Sequence, residues 1–192
     1  MLTHKGVSPN AISAASIGMS LVGAMSFIAA GHAWLPPWLG FVTAAVFIQL
    51  RLVCNLMDGM VAIEGAQKSA TGGIWNEAPD RFADSILFIG AGLACAQPWA
   101  GAAAAWAAVM TAYVRELGAR LDGVQDFCGP FAKPQRMATL TASALLAAAT
   151  NPWSIGEWVL PCALWLSAVG AAITVLRRLN RMARRLTQAS AS

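Results

Sequence analysis

Most of the acidic residues that could do chemistry lie close together in the sequence. Five of the nine carboxylates fall between residues 58 and 84: Asp58, Glu64, Glu77, Asp80 and Asp84. Asn55 and Asp58 are three positions apart, and Asn76, Asp80 and Asp84 follow at intervals of four. On two helices joined by a loop, these spacings place oxygen ligands on facing sides. Carboxylate and amide oxygens suit Mg²⁺, Mn²⁺ or Ca²⁺, and a substrate phosphate commonly completes a Mg²⁺ shell. The candidate metal ligands are therefore Asn55, Asp58, Asn76, Asp80 and Asp84.

The same residues also have a structural interpretation, in which they solvate helix ends. The two glutamates fit it well because both fall where a helix would reach water. Asp58, Asp80 and Asp84 fit it less well, because a charge within a membrane-spanning helix is expensive to bury. Asn76 has its own structural interpretation as the N-cap of a third helix, with Pro79 in the first turn.

The elements that carry these residues are predicted to be membrane-spanning helices. Of the 192 residues, 57% are hydrophobic and 11% are charged, whereas a soluble protein carries about 25% charged residues. The mean hydropathy is +0.57. At about twenty residues for each span, the apolar stretches predict six helices in one domain over residues 1–192. We place the spans at 11–30, 39–62, 78–97, 100–119, 137–152 and 158–177, and expect an all-α integral membrane protein.

The distribution of Lys and Arg predicts the orientation in the membrane. The loops at 31–38, 97–101 and 151–157 contain neither residue. The opposite side, which carries both termini and the acidic stretch, is therefore expected to face the cytoplasm. We expect the membrane to be a bacterial inner membrane. Arg51, within the second span, is the exception. The net charge of +4 suits an anionic lipid surface and does not require nucleic acid. A channel or transporter is disfavoured because the outer halves of the helices are almost uncharged.

A basic loop over residues 115–136 is predicted on the same side as the acids. It carries Arg115, Arg120, Lys133 and Arg136, for which a phosphate is a natural partner. The alternative is ordinary positive charge at a cytoplasmic helix end. The run from Arg177 to Arg185 is interpreted as a helix end that contacts anionic headgroups, and the chain from about Leu186 is expected to fray.

The spacing of the acidic stretch resembles the signature of the CDP-alcohol phosphotransferases, D-x2-D-G-x2-A-R-x8-G-x3-D-x3-D. The corresponding positions here are Asn55-x2-Asp58-Gly59-x2-Ala62-Ile63-x8-Gly72-x3-Asn76-x3-Asp80. The spacing is kept throughout, and five of the eight signature positions are identical. The segment from Pro9 to Ser13 is similar to the P-N-x-[IL]-[ST] segment that opens many members, and six helices match the family core.

The resemblance implies a phospholipid-synthesis transferase that acts on a CDP-linked lipid, usually CDP-diacylglycerol, at the cytoplasmic ends of helices 2 and 3. An alcohol attacks the β-phosphate and CMP is released. In this family the signature acids hold one or two divalent cations, here Mg²⁺ or Mn²⁺, which makes Asp58 and Asp80 metal ligands and Asp80 also the general base. The resemblance places nucleotide and phosphate contacts at Gly59, Ala62, Gly72, Lys133 and Arg136. It also implies a homodimer.

Three departures from the signature leave alternatives open. Asn55 and Asn76 replace aspartates and Ile63 replaces the arginine, so the site loses two negative charges. Asp84 or Glu77 could make up the deficit, and a second register, Asn76-Asp80-Asp84 with a longer loop, would make Asp84 the base in place of Asp80. The number of metal ions is open, and a catalytically inactive lipid-binding or partner-binding member of the same fold is the alternative function. The sequence does not name the acceptor alcohol.

Overall fold

The computed structural model describes residues 9–64, 72–150 and 156–191, and the predicted all-α fold is confirmed over them. Six helices occur in these ranges: α1 Pro9–Gly31, α2 Pro37–Glu64, α3 Gly72–Ala94, α4 Pro98–Leu121, α5 Lys133–Thr150 and α6 Gly156–Ala191. Each predicted span coincides with one of them. Prolines stand at the first position of α1, α2 and α4, where the missing N–H group has no helical partner to lose.

Three of the described helices are long and apolar enough to cross a membrane, which confirms the prediction of a membrane protein. They are Ala11–Gly31 in α1, Pro37–Met57 in α2 and Glu157–Ser190 in α6. The other three are shorter or carry several charges, as α3 does with Glu77, Asp80, Arg81 and Asp84. A count of six crossings, cytoplasmic termini, an inner-membrane location and a homodimer stay predictions.

The helices pack around a core of alanine and large apolar side chains. Helix α1 packs on both α2 and α3, whereas α2 and α3 touch each other little. Helix α4 packs on α3 and α6, and α5 packs on α2 and α6. Phe27, Ile48, Leu87, Met137 and Leu164 are fully buried between them. The ends of α2 and α3 that carry the signature are therefore open toward α4, α5 and α6.

Small residues allow the helix backbones to approach closely, as expected for helices packed in lipid. A Cβ atom added at Gly90 of α3 would lie 2.5 Å from the Cβ of Ala24 in α1. One added at Gly101 of α4 would lie 2.6 Å from the carbonyl oxygen of Phe88. Both distances are far below van der Waals contact, so a larger residue at either glycine would separate α3 from its neighbours.

Three boundaries differ from the sequence prediction. Helix α3 begins at Gly72, so Asn76 lies in its second turn and is not the N-cap. Helix α4 continues to Leu121 and α5 begins at Lys133, so the predicted basic loop shortens to residues 122–132. Helix α6 continues to Ala191, so the stretch from Leu186 that was expected to fray is helical over the described residues.

Candidate functional site

Two buried carboxylates of α3 form the centre of the site. Asp80 and Asp84 lie one helical turn apart and are 9% and 4% exposed. Both contact Arg51, which reaches them from α2 and is itself fully buried. The Nη2 atom of Arg51 lies 3.0 Å from Oδ1 of Asp80 and 2.6 Å from Oδ1 of Asp84. It also donates to the backbone carbonyl of Asp80 at 3.3 Å. One guanidinium nitrogen therefore serves both acids.

Two further cations come from the first turn of α5. Lys133 Nζ donates to Oδ2 of Asp80, and Arg136 Nη2 lies 3.3 Å from Oδ2 of Asp84. Arg136 is 3% exposed, and its Nη1 atom also donates at 3.0 Å to Oγ1 of Thr111 and at 3.0 Å to the carbonyl of Phe131. The start of α5 is thereby fixed to both acids of α3, so Lys133 and Arg136 form one cluster with Asp80 and Asp84.

A second ion-pair group lies beside this centre, between α3 and α4. Arg115 Nη2 donates to both carboxylate oxygens of Glu77, at 2.8 and 2.7 Å. Arg81 donates to the same carboxylate and lies 3.9 Å from Asp80. The guanidinium of Arg115 also stacks on the ring of Phe127 at 5.4 Å, which is a cation–π contact. This group closes the α4 side of the site.

The loop between α4 and α5 is held in place by α6. Arg178 is buried and donates to the carbonyl of Cys128 at 2.9 Å and to that of Thr111 at 2.6 Å. Farther along α6, Arg185 contacts Asp122 at 2.6 Å and Asp126 at 3.3 Å. The basic end of α6 therefore has protein partners at Arg178 and Arg185, and its contact with anionic headgroups stays a prediction.

The two loop carboxylates are adapted to their charged form. The hydrogen bond from Arg185 lowers the pKa of Asp122 from its ordinary value. Burial alone would raise the pKa of Asp126, but the backbone N–H of Cys128 and the Arg185 guanidinium lower it by more. Both carboxylates are therefore stabilised as anions that anchor the loop.

A cavity of about 330 Å³ opens among these groups. Three carboxylates line it, from Glu77, Asp80 and Asp84, together with the amide of Asn55. Five cations line it as well: Arg81, Arg115, Lys133, Arg136 and Arg178. Among the described lining residues, cations therefore outnumber carboxylates by two, and a cavity of this charge suits an anion such as a phosphate or pyrophosphate.

Some of the predicted site residues lie together in the structure, whereas the side chains of others are outside the described part of the chain. Asp80, Asp84, Lys133 and Arg136 form one buried cluster, and Asn55 lines the same cavity. The other signature positions lie outside the described side chains, although their backbones fall in α2 or α3: Asp58, Gly59, Ala62, Gly72 and Asn76. Among the side chains that the structure describes, no group of three or more His, Cys, Asp or Glu is arranged to hold a metal ion.

Sequence reasoning missed three residues of the site, Arg51, Arg81 and Arg178. The signal for Arg51 was its isolation within an apolar span, where an ionisable residue needs a buried partner. Arg178 had no such signal because it stands in a run of five arginines at a helix end. The partners of Arg178 lie 50 and 67 residues away in the chain, which no local pattern indicates.

Comparisons with known proteins agree with this architecture. No protein-family model matches the chain. The phosphatidylinositol phosphate synthase of Mycolicibacterium smegmatis is 23% identical over 181 residues, covering 91% of this chain and 77% of that protein.

Two crystal structures share the fold of the chain. Both are of the phosphatidylinositol phosphate synthase of Mycobacterium tuberculosis and are 19% identical to it. The complex with manganese and citrate gives a TM-score of 0.75 and covers 94% of this chain and 85% of that one. The structure with CDP-DAG bound gives a TM-score of 0.74 and covers 94% and 89%.

Proposed function

The chain belongs to the CDP-alcohol phosphotransferase family, and we propose that it transfers a phosphatidyl group from CDP-diacylglycerol to an alcohol, releasing CMP. The observation that carries this proposal is the cavity in which Asp80 stands among cationic side chains at the signature end of the bundle. Its surplus of two positive charges matches the two negative charges of a pyrophosphate diester. The fold shared with a CDP-DAG-bound structure supports the same donor.

The proposed reaction is a displacement at phosphorus. The acceptor hydroxyl oxygen forms a bond to the β-phosphorus, which carries the diacylglycerol, and the bond from that phosphorus to the bridging oxygen breaks. CMP leaves with the electron pair of the broken bond, and a base takes the hydroxyl proton. We assign Asp80 as that base because its side chain is 12% exposed, against 6% for Asp84, so it reaches the cavity more readily. Lys133 and Arg136 stabilise the charge that develops on the leaving phosphate.

A divalent cation, Mg²⁺ or Mn²⁺, is part of the proposal, supported by the manganese in the synthase of the same fold. When bound, such an ion neutralises pyrophosphate charge and stabilises the departing CMP. The signature residues whose amide and carboxylate oxygens would hold it as hard ligands are Asn55, Asp58 and Asn76. Asp80 and Asp84 fit this role poorly, because every oxygen of the two carboxylates already faces a cationic nitrogen.

We propose that the acceptor alcohol itself carries a phosphate. The donor pyrophosphate balances the surplus charge of the described lining. A bound divalent cation adds two positive charges, and Asp58 as one of its ligands would compensate only one of them. A phosphate on the acceptor compensates the positive charge that remains, which a neutral acceptor does not. The name of the M. smegmatis relative, a phosphatidylinositol phosphate synthase, supports an inositol phosphate as the first acceptor to test.

The test is CMP release by purified protein in nanodiscs with CDP-diacylglycerol and Mg²⁺ or Mn²⁺. The acceptors compared are inositol phosphate, glycerol phosphate, serine and choline. We expect turnover with a phosphate-bearing acceptor, its loss with EDTA, and a loss of at least about 10²-fold in Asp80→Asn. Glu157→Gln, an exposed carboxylate at the other end of the bundle, is the matched control and should keep full activity.

Two outcomes would contradict the proposal in different ways. No CMP release with any acceptor or metal, from protein that still binds CDP-diacylglycerol, would favour the non-catalytic member of the fold and identify the two signature asparagines as the cause. Turnover that survives Asp80→Asn would remove Asp80 as the base. Asp84→Asn would then be tested next.

A further inference from the structure

Arg51 has no place in the proposed reaction, yet it is the most deeply placed charge of the site. Its side chain is 0% exposed, and it lies one turn before Asn55 on α2. A buried guanidinium is costly unless anions compensate it. Both of its anions come from α3, and Asp80 is 29 residues away in sequence. A residue of this kind in an apolar span indicates a specific electrostatic task.

The contacts of Arg51 show what that task is. Its Nη2 atom lies 3.0 Å from Asp80 Oδ1 and 2.6 Å from Asp84 Oδ1, so two carboxylates of one helix face converge on a single atom. Convergent carboxylate oxygens of this kind are also what a hard divalent cation needs. In this chain a guanidinium nitrogen stands at the point of convergence.

The remaining oxygens of the pair are engaged as well. Oδ2 of Asp80 accepts from Lys133 Nζ, and Oδ2 of Asp84 lies 3.3 Å from Arg136 Nη2. Three cations therefore compensate two carboxylates, and the cluster already has a net positive charge. A divalent ion at this pair would have to displace a cationic side chain and would add two more positive charges in a buried setting.

We propose that Arg51 is a built-in counter-cation that keeps divalent metal ions off the Asp80–Asp84 pair. Arg51 thereby fixes the position of Asp80 and restricts metal binding to the other oxygen ligands of the signature, so that each chain holds no more than one divalent ion. This assignment makes Arg51 a positioning residue. It deepens the proposed function and rests on it for its meaning in catalysis, whereas the metal exclusion is measurable without any substrate.

The experiment is a titration with Mn²⁺ alone, in detergent or nanodiscs without lipid donor or acceptor, in which electron paramagnetic resonance counts free Mn²⁺. We expect the wild-type protein to bind at most one Mn²⁺ per chain. Arg51→Met removes the charge while keeping an unbranched side chain, and should gain an additional Mn²⁺ site at least tenfold tighter than any second site of the wild type. Arg51→Lys keeps the charge and should restore the wild-type titration.

Two further variants identify the gained site. Adding Asp84→Asn to Arg51→Met should abolish the extra Mn²⁺, because one of the two released carboxylates is then neutral. Arg120→Met, which removes an exposed cation of α4, is the matched control for net charge and should titrate as wild type. Size-exclusion chromatography establishes that each variant is folded before it is titrated.

Several results would overturn the inference. They are two tightly bound Mn²⁺ per wild-type chain, an Arg51→Met titration equal to that of the wild type, or a gain that survives Asp84→Asn. Two tightly bound Mn²⁺ per wild-type chain would overturn the inference even if Arg51→Met does not fold. Because no turnover is measured, an inactive protein that shows the expected titrations would contradict the proposed function and leave this inference standing.

Discussion

Replacing Gly129 by alanine should displace the loop that leads into the basic start of α5. Gly129 has a φ of +141°, a backbone conformation that residues with a Cβ atom rarely adopt. A Cβ added there would lie 2.2 Å from Cγ2 and 2.8 Å from Oγ1 of Thr174 on α6. Thr174 is fully buried, and its hydroxyl accepts from Phe131 N at 3.1 Å and donates to Gly170 O at 2.9 Å. The threonine therefore cannot rotate away without breaking both bonds.

The magnitude has two parts. An unfavourable positive φ costs about 1–3 kcal/mol, and forcing a methyl group into a packed contact costs about 1–3 kcal/mol. The Gly129→Ala variant should therefore lose about 2–6 kcal/mol of stability, or shift the loop to avoid the clash. Four residues beyond Gly129, Lys133 contacts Asp80, so a loop shift of about 1 Å should lower the rate of CMP release by about 10²-fold.

Thermal unfolding and CMP release, measured on the same nanodisc preparation, test this prediction. Gly123→Ala is the matched control, because Gly123 lies in the same loop with a φ of +74° and nothing within 4 Å of an added Cβ. It should show only the backbone part of the loss, about 1–2 kcal/mol. If Gly129→Ala and Gly123→Ala have equal stabilities and equal rates, the contact with Thr174 does not position the loop and the reasoning is wrong.

Two further predictions concern charged side chains. Lys133→Met should raise the KM for CDP-diacylglycerol at least about tenfold because it removes a cation that faces the donor phosphates. Lys133→Arg should recover most of this loss, and the control Arg120→Met should leave the KM unchanged. If Lys133→Met also left the KM unchanged, the assignment of Lys133 to the donor phosphates would be wrong. The second prediction concerns pH. The pKa values of Asp122 and Asp126 are lowered from 3.8, so their ionised forms stabilise the fold above pH 3.8. This stabilisation is lost as the pH falls below 3.8 and the two carboxylates become protonated. The melting temperature of the wild type should therefore fall more between pH 5 and pH 3 than that of the Asp122→Asn/Asp126→Asn double variant, and equal slopes would refute the anchoring role.

The class of protein and the position of the helices were predictable from the sequence because both depend on local composition. Long apolar stretches with few charges indicate membrane helices, and all six predicted stretches coincide with helices of the structure. Their ends were predicted less well. Lys133 and Arg136 were assigned to a loop but begin α5, because their side chains gain buried partners there that a local pattern does not show.

The placement of Asp80 and Asp84 on one helix face was also predictable, because a spacing of four places side chains on the same face whatever the rest of the chain does. The spaced signature added the family and, through it, Asp80. The sequence likewise showed that two aspartates of the signature are asparagines in this chain. It could not show what compensates the charges that remain.

The partners of Asp80 and Asp84 were decided by the tertiary structure alone. Arg51, Lys133 and Arg136 come from helices α2 and α5, and their contacts with the two acids span 29 to 53 residues of sequence. Such contacts follow from how α2, α3 and α5 pack, which depends on close approach at small residues and on the burial of apolar faces. By itself the sequence determined a membrane helix bundle whose acidic residues gather at the ends of two neighbouring helices, since these properties are local. Only the packing of the helices decided that an arginine stands where the carboxylates of α3 converge, because a buried charge selects its partner by proximity in space.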